Sequence, residues 1–125
     1  MNNPPDQPDS QKRPLIGVVG VCASGKSTLI KGMESRGFRM RHIAQEHSYV
    51  KDMWKRITNP DVLIFLDVAY PLTVQRHQLD WTEADWAEQQ SRLLHAREHA
   101  DLYIKTDDLS IEQVLEIAIA FVGKP

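Results

Sequence analysis

From residue 15 onward, short apolar runs alternate with stretches whose apolar residues recur at helical spacing. Leu15-Ile16-Gly17-Val18-Val19 is apolar and partly β-branched, as expected of a strand covered on both faces of a parallel sheet. After a glycine-containing loop at Gly20, Thr28 to Arg36 lacks proline, places Leu29, Ile30 and Met33 on one face and meets Gly37, a helix stop. Phe38, Met40 and His42 alternate with Arg39, Arg41 and Ile43, predicting a second strand that ends near Ala44. Tyr49 to Ile57 reads as a short helix stopped by Asn59-Pro60.

Val62-Leu63-Ile64-Phe65-Leu66 is the most apolar run and ends at Asp67, so it is expected to be an interior parallel strand. Pro71 suits the first turn of a helix running through Arg76. Thr82 with Asp85 resembles a capping box that opens a helix to about His99, Leu102 to Ile104 reads as a fourth strand, and Ser110 with Gln113 opens the last helix. Ile111, Val114, Leu115, Ala118 and Val122 share a face of that helix. Alternating strands and helices predict an α/β fold of three layers, with about four parallel strands and helices on both faces. The short connection after the first helix puts the second strand beside the first, giving the order 2-1-3-4.

Composition changes this picture little. A chain of 125 residues with 42% apolar and 26% charged residues suits one domain, placed at residues 14 to 125, and the net charge of -2 gives no reason to expect nucleic acid as a partner. Residues 1 to 13 contain Pro4, Pro5 and Pro8 among polar residues and are expected to be a disordered tail. The single cysteine, Cys22, has no internal disulfide partner, and no apolar run resembles a signal peptide or membrane span. A cytoplasmic setting without a membrane partner is the expectation; nothing in the sequence sets an oligomeric state.

The chemistry concentrates in Gly20-Val21-Cys22-Ala23-Ser24-Gly25-Lys26-Ser27, which fits the phosphate-loop pattern of two glycines, a lysine and a hydroxyl residue between a strand and a helix. Gly20 and Gly25 allow tight turns whose N–H groups face phosphate oxygens, and the helix start through Thr28 adds the positive end of its dipole. Lys26 is expected to reach the β- and γ-phosphates and to face solvent when the loop is empty, while the Ser27 hydroxyl ligates Mg2+. Cys22 reads as a small filler of the loop. Two carboxylates compete to complete the magnesium site: Asp67, at the end of an apolar strand, and Glu46, just after the second strand.

Carried by the loop, by Ile64-Phe65-Leu66-Asp67-Val68 followed by Arg76, and by His99-Ala100-Asp101-Leu102-Tyr103-Ile104-Lys105-Thr106, the chain resembles the P-loop kinases of small molecules, the group of nucleoside, nucleoside monophosphate and shikimate kinases. Glu46-His47-Ser48 is similar to the Glu-Arg-Ser of deoxynucleoside kinases, with histidine where arginine stands there. The resemblance implies ATP as the nucleotide, with GTP left open, and transfer of the γ-phosphoryl group to a small acceptor. It also implies Glu46 as the group that activates the acceptor hydroxyl or holds Mg2+, and His99 to Thr106 as the last strand and base-contacting loop. Only about two dozen residues separate the first helix from Val62, where those kinases insert an acceptor subdomain, so a nucleotide-binding regulatory or weakly hydrolytic module is the alternative.

Phosphoryl transfer needs cations around the phosphates, and Arg76, Arg92 and Arg97 are the candidates. Trp81 and Trp86 either cover a base or pack in the core, with packing expected. His95-Ala96-Arg97-Glu98-His99 matches the His-x-x-Glu-His zinc pattern, but two histidines on a half-exposed helix are the ordinary reading.

Overall fold

The computed structural model describes residues 13–77 and 80–125, with the His77 side chain outside that description. The expected disordered tail lies outside the described residues except for Arg13, which donates to Gly37 O at 3.1 Å. Strands β1 (Leu15–Gly20), β2 (Arg39–His42), β3 (Val62–Asp67) and β4 (Leu102–Lys105) form one parallel sheet in the order β2-β1-β3-β4. This is the expected α/β arrangement and strand order. β1 pairs with β2 from Leu15↔Arg39 to Val18↔His42 and with β3 from Ile16↔Val62 to Gly20↔Leu66.

Side-chain alternation along the central strands divides the core in two. Ile16, Val18, Ile64, Leu66 and Ile104 face α1 (Lys26–Glu34) and α4 (Ile111–Val122), meeting Leu29, Met33, Val114 and Ala118. Val19, Leu63 and Phe65 face the opposite way, onto Leu93 and Ala96 of α3 (Glu83–His99) and onto Trp54. The central strands are therefore continuously apolar, whereas β2 and β4, paired on one edge only, tolerate arginine, histidine and lysine. At the amino end of the sheet, Asp61 accepts from Leu15 N and Asp101 from Leu63 N, each at 2.7 Å, satisfying amides at strand starts.

Helix ends follow their sequence signals. Phe38 N–H donates to Met33 O at 3.2 Å and Gly37 N–H to Glu34 O at 3.0 Å, a Schellman closure with Gly37 at a φ of 92°. Both expected capping boxes are formed, Thr82 with Asp85 and Ser110 with Gln113. α2 spans Tyr70–His77, with Pro71 in its first turn.

The expected regular helix from Tyr49 to Ile57 is not formed. Turns instead lead into a π-type turn at Trp54–Thr58, closed by Asn59 N–H on Trp54 O at 3.0 Å. Val50 O and Trp54 N are the pair an α-helix would join directly. Both are taken by the Gln45 side chain, at 2.9 and 2.8 Å respectively, and Gln45 is fully buried. Among the described residues, no helix is long and apolar enough to cross a membrane.

Candidate phosphate-binding site

Gly20 ends β1 where a side chain has no room: a Cβ there would lie 2.4 Å from Leu66 O and 2.6 Å from Ser24 Oγ. The chain turns through Ala23 at a φ of 69°, with Ser24 N–H on Val21 O at 3.2 Å, and reaches Gly25 at a φ of 99°. Gly25 is the helix N-cap and offers no side-chain cap, so the first amides of α1, those of Lys26, Ser27 and Thr28, have no acceptor within the helix. The Ser27 and Thr28 side chains are exposed beside them. The uncapped amides and the positive end of the helix dipole lie together at this helix start.

Lys26 does not face solvent as expected: it is only 6% exposed. Its Nζ donates to Gly20 O at 2.6 Å, to Val21 O at 3.2 Å and to Glu46 Oε2 at 2.9 Å. The cause is the carboxylate that β2 delivers. Because β2 lies directly beside β1, the turn Gln45–His47 after it brings Glu46 over the glycine loop. Glu46 is 3% exposed, and its Oε1 is buried with no hydrogen-bond partner among the described residues.

Asp67 is directed elsewhere. Its Oδ1 accepts from Gln90 Nε2 at 2.8 Å and from Val68 N, its Oδ2 accepts from the Tyr103 hydroxyl, and Arg97 lies 3.9 Å away. Partial burial and, second, donation to this carboxylate push the Tyr103 phenol up to about 12. Asp67 thus joins α3 to β4 on the sheet face carrying Phe65, while Glu46 joins the loop.

The arginines divide among three places. Arg76 donates to Thr106 Oγ1 at 3.0 Å and to Thr106 O at 2.8 Å, and its Nη1 lies 3.5 Å from Ala23 O, at the edge of the glycine loop. Arg92 donates to Glu46 O at 3.2 Å and to Glu88 at 2.5 Å, stacks over Tyr49 at 4.4 Å and keeps a buried Nε without a partner among the described residues. Arg97 sits with Asp67, at 3.9 Å, and over the Tyr103 ring. Arg76 also borders a cleft of about 340 Å³ lined by Ala23, Gly25, Leu29, Thr106, Leu109 and Leu115, between the start of α1 and the segment after β4.

Trp86 packs against the Phe65 side of the core and donates to Val68 O at 3.1 Å, which agrees with packing, while the half-buried Trp81 donates to Thr73 Oγ1 at 3.0 Å. His95 and His99 stack on each other with centroids 4.2 Å apart. His95 Nδ1 accepts from Trp54 Nε1 at 3.1 Å, and His99 Nδ1 lies 2.8 Å from His95 O.

Sequence reading missed Gln89. Its Oε1 accepts from Cys22 N at 3.0 Å and its Nε2 donates to Cys22 Sγ at 3.3 Å, fastening the loop to α3. The available signal was a glutamine in the buried stripe Gln89, Leu93, Ala96, because a polar group there requires a partner. Comparison with protein-family models and with curated proteins gave no match.

Proposed function

We propose that this chain is a P-loop protein that binds ATP with Mg2+ and, in the manner of small-molecule kinases, transfers the γ-phosphoryl group to a small acceptor. The observation that carries the reading is the Lys26–Glu46 pair closed under a glycine loop whose following helix start is uncapped. In this reading the amides from Ala23 to Thr28 cradle phosphate oxygens, and Lys26 exchanges its loop carbonyls for the β- and γ-phosphates. The cleft beside Arg76 and Thr106 receives the base, and its size suits a small-molecule site.

The residues fit a magnesium ion: the Glu46 Oε1 atom is a buried acceptor without a donor among the described residues, and Ser27 supplies an exposed hydroxyl next to Lys26. Ser27 and Glu46 would hold the ion, with Asp67 assigned instead to the Tyr103 and Gln90 network. Bound Mg2+ neutralises charge on the phosphate oxygens. Arg76 and Arg92 supply further positive charge, from the two sides of the loop. GTP satisfies the same phosphate contacts as ATP, so base preference rests on the cleft alone.

A module without an acceptor site is the second reading, favoured by one observation. The connection between β2 and β3 closes on itself through Gln45 and is tied to α3 by Trp54 Nε1 on His95 Nδ1 at 3.1 Å, leaving no separate subdomain there. Calorimetric titration with ATP, ADP and AMP, with and without Mg2+, tests the shared part: tri- and diphosphate should bind, and Ser27→Ala should weaken the magnesium-dependent component. Equal affinity for AMP and ATP would overturn it. Phosphate transfer to a panel of hydroxyl acceptors supports the kinase, and release of inorganic phosphate alone supports the module.

A further inference from the structure

Beside the buried ion pair, a second set of groups converges that shares Glu46 with the proposed phosphate site and adds Cys22 and His47 to it. Cys22 Sγ, a Glu46 carboxylate oxygen and a His47 ring nitrogen all lie within 4.8 Å of one another. His47 Nε2 is already 3.7 Å from Glu46 Oε2. Donors bound to one tetrahedral Zn2+ at about 2.0–2.3 Å stand roughly 3.3–3.8 Å apart, so closure needs a shift of about an ångström. The His47 side chain, 59% exposed, can supply it by rotation without disturbing the core.

Burial and second contacts point to a ligand as well. Glu46 is 3% exposed and holds one carboxylate oxygen with no donor among the described residues, an arrangement that leaves a buried acceptor uncompensated by them. The other oxygen is fixed by Lys26 at 2.9 Å, and Arg92 fixes the Glu46 carbonyl at 3.2 Å. Gln89 Nε2 donates to the sulfur at 3.3 Å, the type of outer contact that orients a thiolate ligand. A thiol, an imidazole and a carboxylate form a donor set suited to zinc rather than to magnesium, which takes oxygen ligands.

We propose that Cys22, Glu46 and His47 bind a thiophilic divalent cation, with Zn2+ the best match. Binding releases the Cys22 thiol proton to solvent and leaves the fourth position to water, since His47 opens on the surface. Occupancy ties the glycine loop to the turn after β2 and engages the same carboxylate that the phosphate site uses. Zinc occupancy and the catalytic use of Glu46 therefore exclude each other; that consequence rests on the function proposed above, whereas the metal site itself does not.

The test titrates Co2+ into the full, reduced chain without nucleotide. Tetrahedral visible bands and a near-ultraviolet thiolate-to-cobalt band are expected, both bleached by Zn2+. Cys22→Ser should abolish the thiolate band, His47→Ala should weaken Co2+ affinity at least tenfold, and a His95→Ala/His99→Ala variant should bind as the parent does. Circular dichroism establishes that each variant is folded, and Cys22→Ala replaces any serine variant that is not. Absence of the thiolate band, a band unchanged in affinity by His47→Ala, or loss of binding only in the His95/His99 variant overturns the site.

Discussion

Lys26 and Glu46 neutralise one another in a place that water hardly reaches, so neither can be removed alone without leaving a buried charge. Lys26→Met is expected to destabilise the fold by about 3–5 kcal/mol, more than the loss of a phosphate contact explains. Lys26→Met/Glu46→Gln should recover much of that loss while still failing to bind triphosphate, and urea unfolding beside calorimetry reads both. A single variant as stable as the parent would show that the pair is not closed in solution. Tyr103 offers a separate test at residue scale. Its phenol is raised to about 12 from an ordinary value of 10, so the neutral form is favoured in the folded chain. The stabilisation is complete below pH 10 and is lost as pH rises through about 12. Ultraviolet titration of phenolate should show a component near pH 12 that Tyr103→Phe removes.

Elements whose signals are local were legible in the sequence. The capping boxes at Thr82 and Ser110, the stop at Gly37 and the apolar run of β3 each act within a few residues, and the structure contains all four. The turn at Trp54–Thr58 was not legible, because the side chain that interrupts helix formation belongs to Gln45, outside the segment. Gln89 acts at greater range still, reaching from α3 to the loop. Gln89→Leu should leave the Cys22 amide without its acceptor, costing about 1–3 kcal/mol, and should also weaken ATP binding by loosening the loop. Unchanged urea unfolding together with unchanged ATP affinity would show that the fastening is dispensable.

At the scale of the whole molecule, strand order decides which acid meets the glycine loop. The loop itself was readable from eight consecutive residues, and the place of β2 beside β1 from the short path after the first helix, which left Glu46 and Asp67 both as candidates. The burial of Lys26 was not, since it depends on a partner twenty positions away in sequence. Asp67 also ends a strand adjacent to β1, but alternation turns its side chain to the Phe65 face, where Tyr103 and Gln90 claim both oxygens. Comparing Glu46→Gln with Asp67→Asn therefore separates a metal role from a structural one. Glu46→Gln is expected to abolish the magnesium dependence of ATP affinity and at least tenfold of any turnover. Asp67→Asn should keep that dependence yet lower the melting temperature, because the amide presents one acceptor oxygen where the carboxylate presented two. Measurements belong below the melting temperature of the weaker variant, since Glu46→Gln also leaves Lys26 without its counter-charge. If instead only Asp67→Asn loses magnesium dependence, the acid at the end of β3 serves the metal, and the chain is better placed among ATPase-like modules than among kinases.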